Sequence, residues 1–492
     1  MYYKRKSDVI YRNYDSFGYI TDNRNFEYKL TDGYEKNIGD RIVSGSGAVF
    51  LSALSRVPQN IDDVCEKIST QFIDADFKIL KRDAIEFYNI LESDGFVVSG
   101  KTIEECNDKD QVFSYKKNKM QLKEYVQKSE CSISTQDFFE KYFNGKPLLT
   151  SVHIEIISVC NERCIHCYIP HEKKTEIMTP DMFFNILEQC REMNVLHLTI
   201  SGGEPMAHNN FIDFLRKCNE YNFSVNVLSN LTLLNQDMIM EMKNNPLLCV
   251  QTSLYSMNSD VHDAITQIKG SFEKTKASIL MLIENDIPVQ ISCPIMKHNM
   301  ECYDEVINWG RDHNMNVNSD FVLIAGYDHT TNNLQCRLSL DDVSKIVGKN
   351  IDSSTTYLKS IEENILKKKN QMPDDHICSV CRSSICISEK GNVYPCVGWQ
   401  DCILGNIDTT QLVDIWENSE KVQYLRNLRR FDFPKCLECS NNEFCTMCMV
   451  RNANEDPLGD PLAQNIYYCN IAKINKEMYF SRIQNPNKQR II

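Results

Sequence analysis

The chain has 492 residues, 42% of them hydrophobic, and a formal net charge of −13. That length can bury more than one core, in roughly two to four domains, and the acid excess argues against a nucleic-acid partner, because phosphate binding needs a lysine or arginine surplus on some face. The start, MYYKRKSDVI, lacks a signal-peptide core, and no stretch approaches the roughly 18 to 20 uncharged apolar residues of a membrane span, so a cytoplasmic protein without a membrane partner is expected.

In such a chain 22 cysteines point to metal or catalysis rather than disulfides. Three fall in residues 1–150, three in the short loop CNERCIHC, six in 168–377 and ten in 378–469. Cys65, Cys190, Cys218 and Cys293 stand alone in apolar patterns and read as small buried hydrophobes.

Residues 1–100 show short β-like runs (DVIYRNY, GYITDN, FEYKL) followed by helical segments. A helix over 78–93 aligns Leu80, Ala84, Phe87 and Leu91 and stops at Gly95. The pattern predicts a small winged-helix-like α+β domain. DNA binding is the ordinary use of such a domain, but 13 Lys+Arg face 16 Asp+Glu here, which suits a sheet edge that accepts an extended peptide. Residues 101–150, with YKKNKMQLKEYVQKSE, read as a helical bridge whose lysines coat a solvated face.

From about 151 to 325, β-like runs (VHIEIIS, LHLTIS, FSVNVLS, LCVQTSL, IPVQISC, VNSDFVLI) alternate with helical patterns. The first helix has a readable start: Thr179 as N-cap, Pro180 at the first position and Asp181 in the first turn. Strands 25 to 40 residues apart with a helix in each gap indicate right-handed βαβ units and a parallel sheet. Six such units predict an α/β fold, a partial (β/α)6 barrel. Ligand sites in such sheets form beyond the carboxyl ends of the strands, where Cys160, Cys164 and Cys167 follow the first strand and SGGEP, residues 201–205, ends the second. Gly202 and Gly203 would let the backbone approach a ligand closely, and Glu204 offers an acceptor for a cationic group.

Three thiolates from one short loop suit an iron–sulfur cluster better than zinc, whose structural sites are filled by four ligands. A [4Fe–4S] cluster on this trio would keep one iron without a protein ligand. A zinc site completed by a distant residue, or redox-sensing thiols, are the alternatives.

Here the sequence resembles the radical S-adenosylmethionine (SAM) superfamily, over roughly 150–325. The resemblance implies that the open iron chelates the methionine part of SAM and that the reduced cluster cleaves it to methionine and a 5′-deoxyadenosyl radical, which takes hydrogen from the substrate. It also implies that Gly202, Gly203 and Glu204 face the methionine ammonium, that Tyr168 lies by the adenine, and that Ser229, Asn230 and Ser253 serve the ribose and carboxylate. An external electron donor such as a flavodoxin or ferredoxin would be needed.

Residues 326–375 read as a helical, polar connector. Residues 376–492 form a cysteine-rich C-terminal domain in which nine residues separate Cys381 from Gly391, four more precede Cys396, and CxxC at Cys436 and Cys439 is followed by Cys445 and Cys448. A zinc ribbon would explain the CxxC pairs alone. The whole segment resembles the SPASM extension of radical SAM enzymes, which carries two auxiliary [4Fe–4S] clusters, for three clusters in all. The likeness places Cys378 or Cys381, or both, with Cys396 and Cys448 on one cluster, and Cys436, Cys439, Cys445 and Cys469 on the other. Two residues between Cys445 and Cys448 where the family usually has three leave that partition open, and Cys386 and Cys402 find no place in it.

The N-terminal domain, through GSGAVFLSAL and LESDGFVV, resembles the recognition element of enzymes that mature ribosomally made peptides. The combination predicts a peptide maturase that binds a precursor by its leader and forms a thioether (sactionine or ranthipeptide) crosslink, the peptide's thiolate binding an auxiliary iron as that cluster accepts an electron. The alternatives are a sulfatase-maturase-like enzyme that makes formylglycine, and a non-catalytic iron–sulfur electron carrier. Oligomeric state is not legible.

Overall fold

The computed structural model describes residues 1–14, 17–22, 39–110, 113–115 and 146–483, without the side chains of 353, 355 and 356. The run FEYKL and most of the expected bridge lie outside the described residues; within the bridge, the helix Ile103–Lys109 starts on the Thr102 hydroxyl.

The N-terminal region carries β1 (Tyr2–Arg5), β2 (Val9–Tyr14), β3 (Phe17–Asp22), β4 (Asp40–Ser44), β5 (Gln59–Asn60) and β6 (Val97–Gly100), arranged as two three-stranded sheets, β5-β1-β6 and β2-β3-β4. Between β4 and β6 lie the helices Gly45–Ala53, Ile61–Ser69 and Phe77–Ser93. The last begins on Asp76, whose carboxylate accepts from the amides of Lys78 and Ile79, and it buries Leu80, Ala84, Tyr88 and Leu91. Phe87, expected on that face, is half-buried, because four residues of α-helix return closer to the starting direction than three and bring Tyr88 under Ala84. The helix stops where Gly95 takes φ +83°, a conformation cheap only for glycine.

Six strands then run parallel: β7 (Ser151–Ile157), β8 (His197–Gly202), β9 (Ser224–Leu228), β10 (Leu248–Ser253), β11 (Val289–Ser292) and β12 (Asn316–Asn318). The expected run VNSDFVLI narrows to β12. In the first crossover helix, Pro180–Glu192, Thr179 accepts from the Met182 amide and Pro180 opens the first turn, as the sequence indicates. Val152, Ile154, Val225, Val227 and Val250 are fully buried in the core that the helices cover. The alternate residues, among them Thr199, Asn226, Gln251 and Gln290, are partly exposed on the concave side.

The sheet does not close. β13 (Ser384–Ile387) pairs parallel with β7, and β14 (Asn392–Tyr394) and β15 (Gly405–Asn406) add antiparallel, giving nine strands in the order β12-β11-β10-β9-β8-β7-β13-β14-β15. The sheet β2-β3-β4 packs on the opposite rim, where Ile10, Phe17 and Tyr19 bury Leu196 and Leu247, residues that lead into β8 and β10. Arg12 fastens it, donating to the carbonyls of Val195 (2.8 Å) and Asn222 (3.0 Å). Among the described residues no helix is long and apolar enough to cross a membrane.

Candidate radical SAM site

The loop after β7 is held on two sides by backbone hydrogen bonds. The Gly203 amide donates to the Ile157 carbonyl (2.6 Å) and the Glu204 amide to that of Val159 (2.9 Å), while the amides of Arg163 and Ile165 reach the carbonyls of Thr266 and Ile265, both at 3.0 Å. These bonds explain the two glycines. A Cβ on Gly202, which takes φ +136°, would overlap the Ile157 carbonyl oxygen, and one on Gly203 the carbonyl oxygens of Ser158 and Val159. The glycines therefore let β8 close on the cysteine loop itself.

Cys160, Cys164 and Cys167 are all partly exposed on this loop. The Glu162 amide donates to the Cys160 sulfur (3.4 Å), and the Cys164 thiol donates to the Glu162 carboxylate (3.6 Å). Burial pushes the Cys160 thiol up to about 11, opposed by the Glu162 amide and by the field of Lys174, and Cys164 is raised further by burial and Glu162. Without a cation these sulfurs are poor anions; a metal cluster would reverse that. Lys174 is the cation that faces the loop, and its position 14 residues after Cys160 gave no motif to read.

Glu204 is fully buried, and its carboxylate accepts from the Ser229 hydroxyl (2.7 Å) and the amides of Asn230 (2.8 Å) and Met206 (3.0 Å). Burial nevertheless pushes it up to about 7. Ser229 and Asn230 are thus brought together with Glu204, orienting it. The Asn230 side chain also donates to that of Asn161, inside the cysteine loop (2.9 Å). Ser253, at the end of β10, lies beside Tyr255, whose hydroxyl meets His166 Nε2 at 2.9 Å. The Tyr168 hydroxyl donates to Glu155 on β7 (3.0 Å) and lies in the field of Cys167. His166, Tyr255, Glu162 and Glu155 were not singled out from sequence, since a lone polar residue on a strand or loop carries no spacing signal.

In the C-terminal part Cys436, Cys439, Cys445 and Cys469 line one cleft with Lys368 and Arg430. Cys378 and Cys396 both lie in the field of Cys448. Cys381, fully buried at φ +55°, lies in the fields of Cys402, Cys378 and Cys396, and Arg426 donates to its carbonyl (2.8 Å). Cys386, on β13, is buried beside Glu155. Among the described residues no three His, Cys, Asp or Glu side chains converge on a single ion.

An open parallel sheet with a three-cysteine loop after its first strand, extended by a cysteine-dense hairpin region, defines a radical SAM architecture. The radical SAM superfamily description matches residues 154–310, and that of the SPASM iron–sulfur cluster-binding domain matches 378–449. The chain carries a radical SAM domain and a SPASM domain and is an enzyme, its radical SAM domain binding a [4Fe–4S] cluster and SAM and its SPASM domain auxiliary iron–sulfur clusters. Among its relatives are the AdoMet-dependent heme synthase of Methanosarcina barkeri, 23% identical over 60% of this chain and 90% of that protein, and the subtilosin biosynthesis protein AlbA of Bacillus subtilis, 25% identical over 64% of this chain and 70% of AlbA. The crystal structure of Streptococcus suis SuiB bound to precursor peptide SuiA shares the fold with a TM-score of 0.58 at 14% identity, over 94% of this chain and 98% of SuiB.

Proposed function

We propose that this enzyme modifies a ribosomally made precursor peptide, with Cys160, Cys164 and Cys167 holding the SAM-binding cluster. The observation that carries the reading is the two-ended layout. The cysteine loop and Glu204 stand at one end of an open, polar-faced sheet, and a small β-rich domain of balanced charge is fastened to the other. The likeness to SuiB extends over that N-terminal domain, which supports its role as the leader's docking site. Reduced and bound, the SAM-binding cluster supplies a 5′-deoxyadenosyl radical that takes a hydrogen atom from the peptide.

Around it, Glu204 accepts the methionine ammonium while Ser229 and Asn230 hold its carboxylate in place. Cys436, Cys439, Cys445 and Cys469 hold one auxiliary cluster, and Cys378, Cys396 and Cys448, with Cys381, the other. The product we propose is a thioether between a peptide carbon and a cysteine sulfur. One hydrogen would leave to 5′-deoxyadenosine and the thiol proton to solvent, and the remaining electron would need an acceptor, which the auxiliary clusters held by these cysteines would supply, so that SAM is the only other oxidant. A flavodoxin- or ferredoxin-like donor would supply the priming electron.

The test uses the anaerobically reconstituted enzyme, SAM and a short cysteine-containing peptide encoded beside its gene. The expected product has lost two hydrogen masses per crosslink, and nucleoside release disappears in the C160A/C164A/C167A variant. Conversion of a serine or cysteine to formylglycine would favour the sulfatase-maturase-like alternative instead. Deleting residues 1–100 does not separate the two cleanly, because it also uncovers Leu196 and Leu247.

A further inference from the structure

Glu155 is a carboxylate that the reading above leaves without a task. It lies on β7, 1% exposed, and both of its oxygens are taken: Oε1 accepts from the Tyr168 hydroxyl (3.0 Å) and Oε2 from the Gln400 side-chain amide (2.7 Å). Tyr168 directly follows Cys167, and Gln400 lies four residues beyond Cys396. One side chain of the barrel's first strand therefore reaches both the loop of the first cysteine trio and a cysteine loop of the SPASM region.

The surroundings keep the two loops together. The Tyr327 amide donates to the Tyr168 carbonyl (3.1 Å), and Gly398 stands against the Tyr168 ring. Asn454 donates to the Gly398 carbonyl (2.7 Å) and to that of Ala325 (3.3 Å). Placing a carboxylate here is expensive. Burial pushes Glu155 up to about 7, the bonds from Tyr168 and Gln400 pulling it back only in part and the field of Glu389 adding to the rise. Two apolar side chains would fill the space at lower cost, so what the carboxylate provides is geometry: two acceptor oxygens at a fixed separation, each met by a donor from a different cysteine loop.

We propose that Glu155 is a positioning residue that fixes the loop after Cys167 against the loop after Cys396, so that the SAM-cleaving centre and the neighbouring auxiliary centre keep one spacing during turnover. The inference rests on the peptide-modifying reading for its functional consequence but not for its structural one. With the bridge cut, SAM cleavage continues while fewer cleavage events end in product.

The test compares wild type, Glu155→Gln, Glu155→Ala and Gln400→Ala as full-length reconstituted enzymes. It measures 5′-deoxyadenosine released per modified peptide, and amide hydrogen exchange of segments 158–170 and 396–402. Glutamine keeps the shape, accepts from Tyr168, and meets Gln400 after that amide turns over; alanine leaves two buried donors without an acceptor. In E155A and Q400A the nucleoside-to-product ratio rises about fivefold, the consequence of losing one net hydrogen bond, and exchange quickens in both segments together, while E155Q stays within about twofold of wild type. Wild-type ratios and exchange in Q400A, in which Glu155 keeps its bond from Tyr168 and which folds even if E155A does not, would overturn the proposal. So would an E155Q enzyme as uncoupled as E155A, since the charge and not the bridge would then matter. If wild type releases nucleoside yet modifies no peptide, the functional reading fails, and the exchange data still judge the bridge.

Discussion

Cys386 on β13 stands opposite His153 on β7 in parallel register. The polypeptide between them spans the whole barrel and its connector, yet the two strands hydrogen-bond as neighbours. The SPASM hairpin is thus the continuation of the barrel's own sheet, and the edge that would otherwise end at β7 is covered.

Truncation after residue 375 should therefore fail to give an autonomous barrel. It strips β7 of one of its two partners and removes Ile385, Ile387 and Val393 from the main core. Aggregated protein, or soluble protein without a cooperative thermal transition, is the expected outcome. A monomeric fragment with a sharp melt would show that the sheet extension is dispensable.

The glycines of SGGEP make a second prediction. G202A forces a side chain into the Ile157 carbonyl at a backbone angle that suits glycine, and G203A does so against two carbonyls of the cysteine loop. Each should cost roughly 2 kcal/mol or more, and because the displaced segment carries Cys160, iron bound per chain should fall as well. A variant with wild-type melting temperature and iron content would mean that the two strands separate there without cost.

These glycines also show how far the sequence could be read. Their reading as a close-approach site identified the need for a missing Cβ, while the approach of the Ile157, Ser158 and Val159 carbonyls was not legible, since spacing reveals that something must come near and not which backbone does. The six parallel strands, the Thr179 cap and the lone buried cysteines were legible because each follows from local periodicity or capping chemistry. Tyr168 was not: its partner Glu155 is 13 residues away along the chain, and nothing local marks an inward-facing carboxylate. The pairing of β13 with β7 was equally hidden, because parallel partners distant in sequence leave no turn signal between them.

Of the C-terminal cysteines, Cys386 and Cys402 stand outside the proposed ligand sets. C386A and C402A should keep wild-type iron, about 12 atoms per chain for three [4Fe–4S] clusters, while C436A, whose sulfur shares a cleft with Cys439, Cys445 and Cys469, should lose about four. Iron analysis of anaerobically reconstituted proteins decides the matter. Loss of iron in C402A would place Cys402, whose field reaches Cys381, among the ligands.

The cluster-free protein should lose stability on the alkaline side. Glu155 and Glu204 are both pushed up to about 7 by burial, against about 4.3 for an unfolded glutamate. Between those values the folded state holds more protons than the unfolded one, so their contribution is complete below about pH 4.3 and lost as the pH rises through about 7. His153 and His197, lowered to about 4 by burial, act in the opposite direction, and their contribution is lost as the pH falls from about 6.5 through 4. Melting temperature should drop by a few degrees between about pH 6 and 8.5, and less steeply in E155Q. A wild-type melting temperature that rises over that interval contradicts the assignment.

The last prediction concerns the peptide's reach. The sheet β2-β3-β4 is fastened to the rim where β8, β9 and β10 begin, by Arg12 and by the contacts of Ile10 and Tyr19 with Leu196 and Leu247, whereas Cys160, Cys164 and Cys167 follow the end of β7. β7 is seven residues long, and at about 3.3 Å per residue it separates the two ends by roughly 20 Å. A leader bound to the N-terminal sheet must therefore be followed by about 7 to 10 extended residues before the first residue that is modified. Precursors shortened in that spacer should still compete for binding yet go unmodified, and lengthening it should be tolerated, because closing a longer flexible loop costs little. Full modification of a precursor whose spacer has been cut to about three residues would show that the leader docks elsewhere, or that the N-terminal sheet leaves the rim when peptide binds. R12A distinguishes these outcomes: if release from the rim is what rescues the short spacer, loosening the arginine clasp should speed its modification.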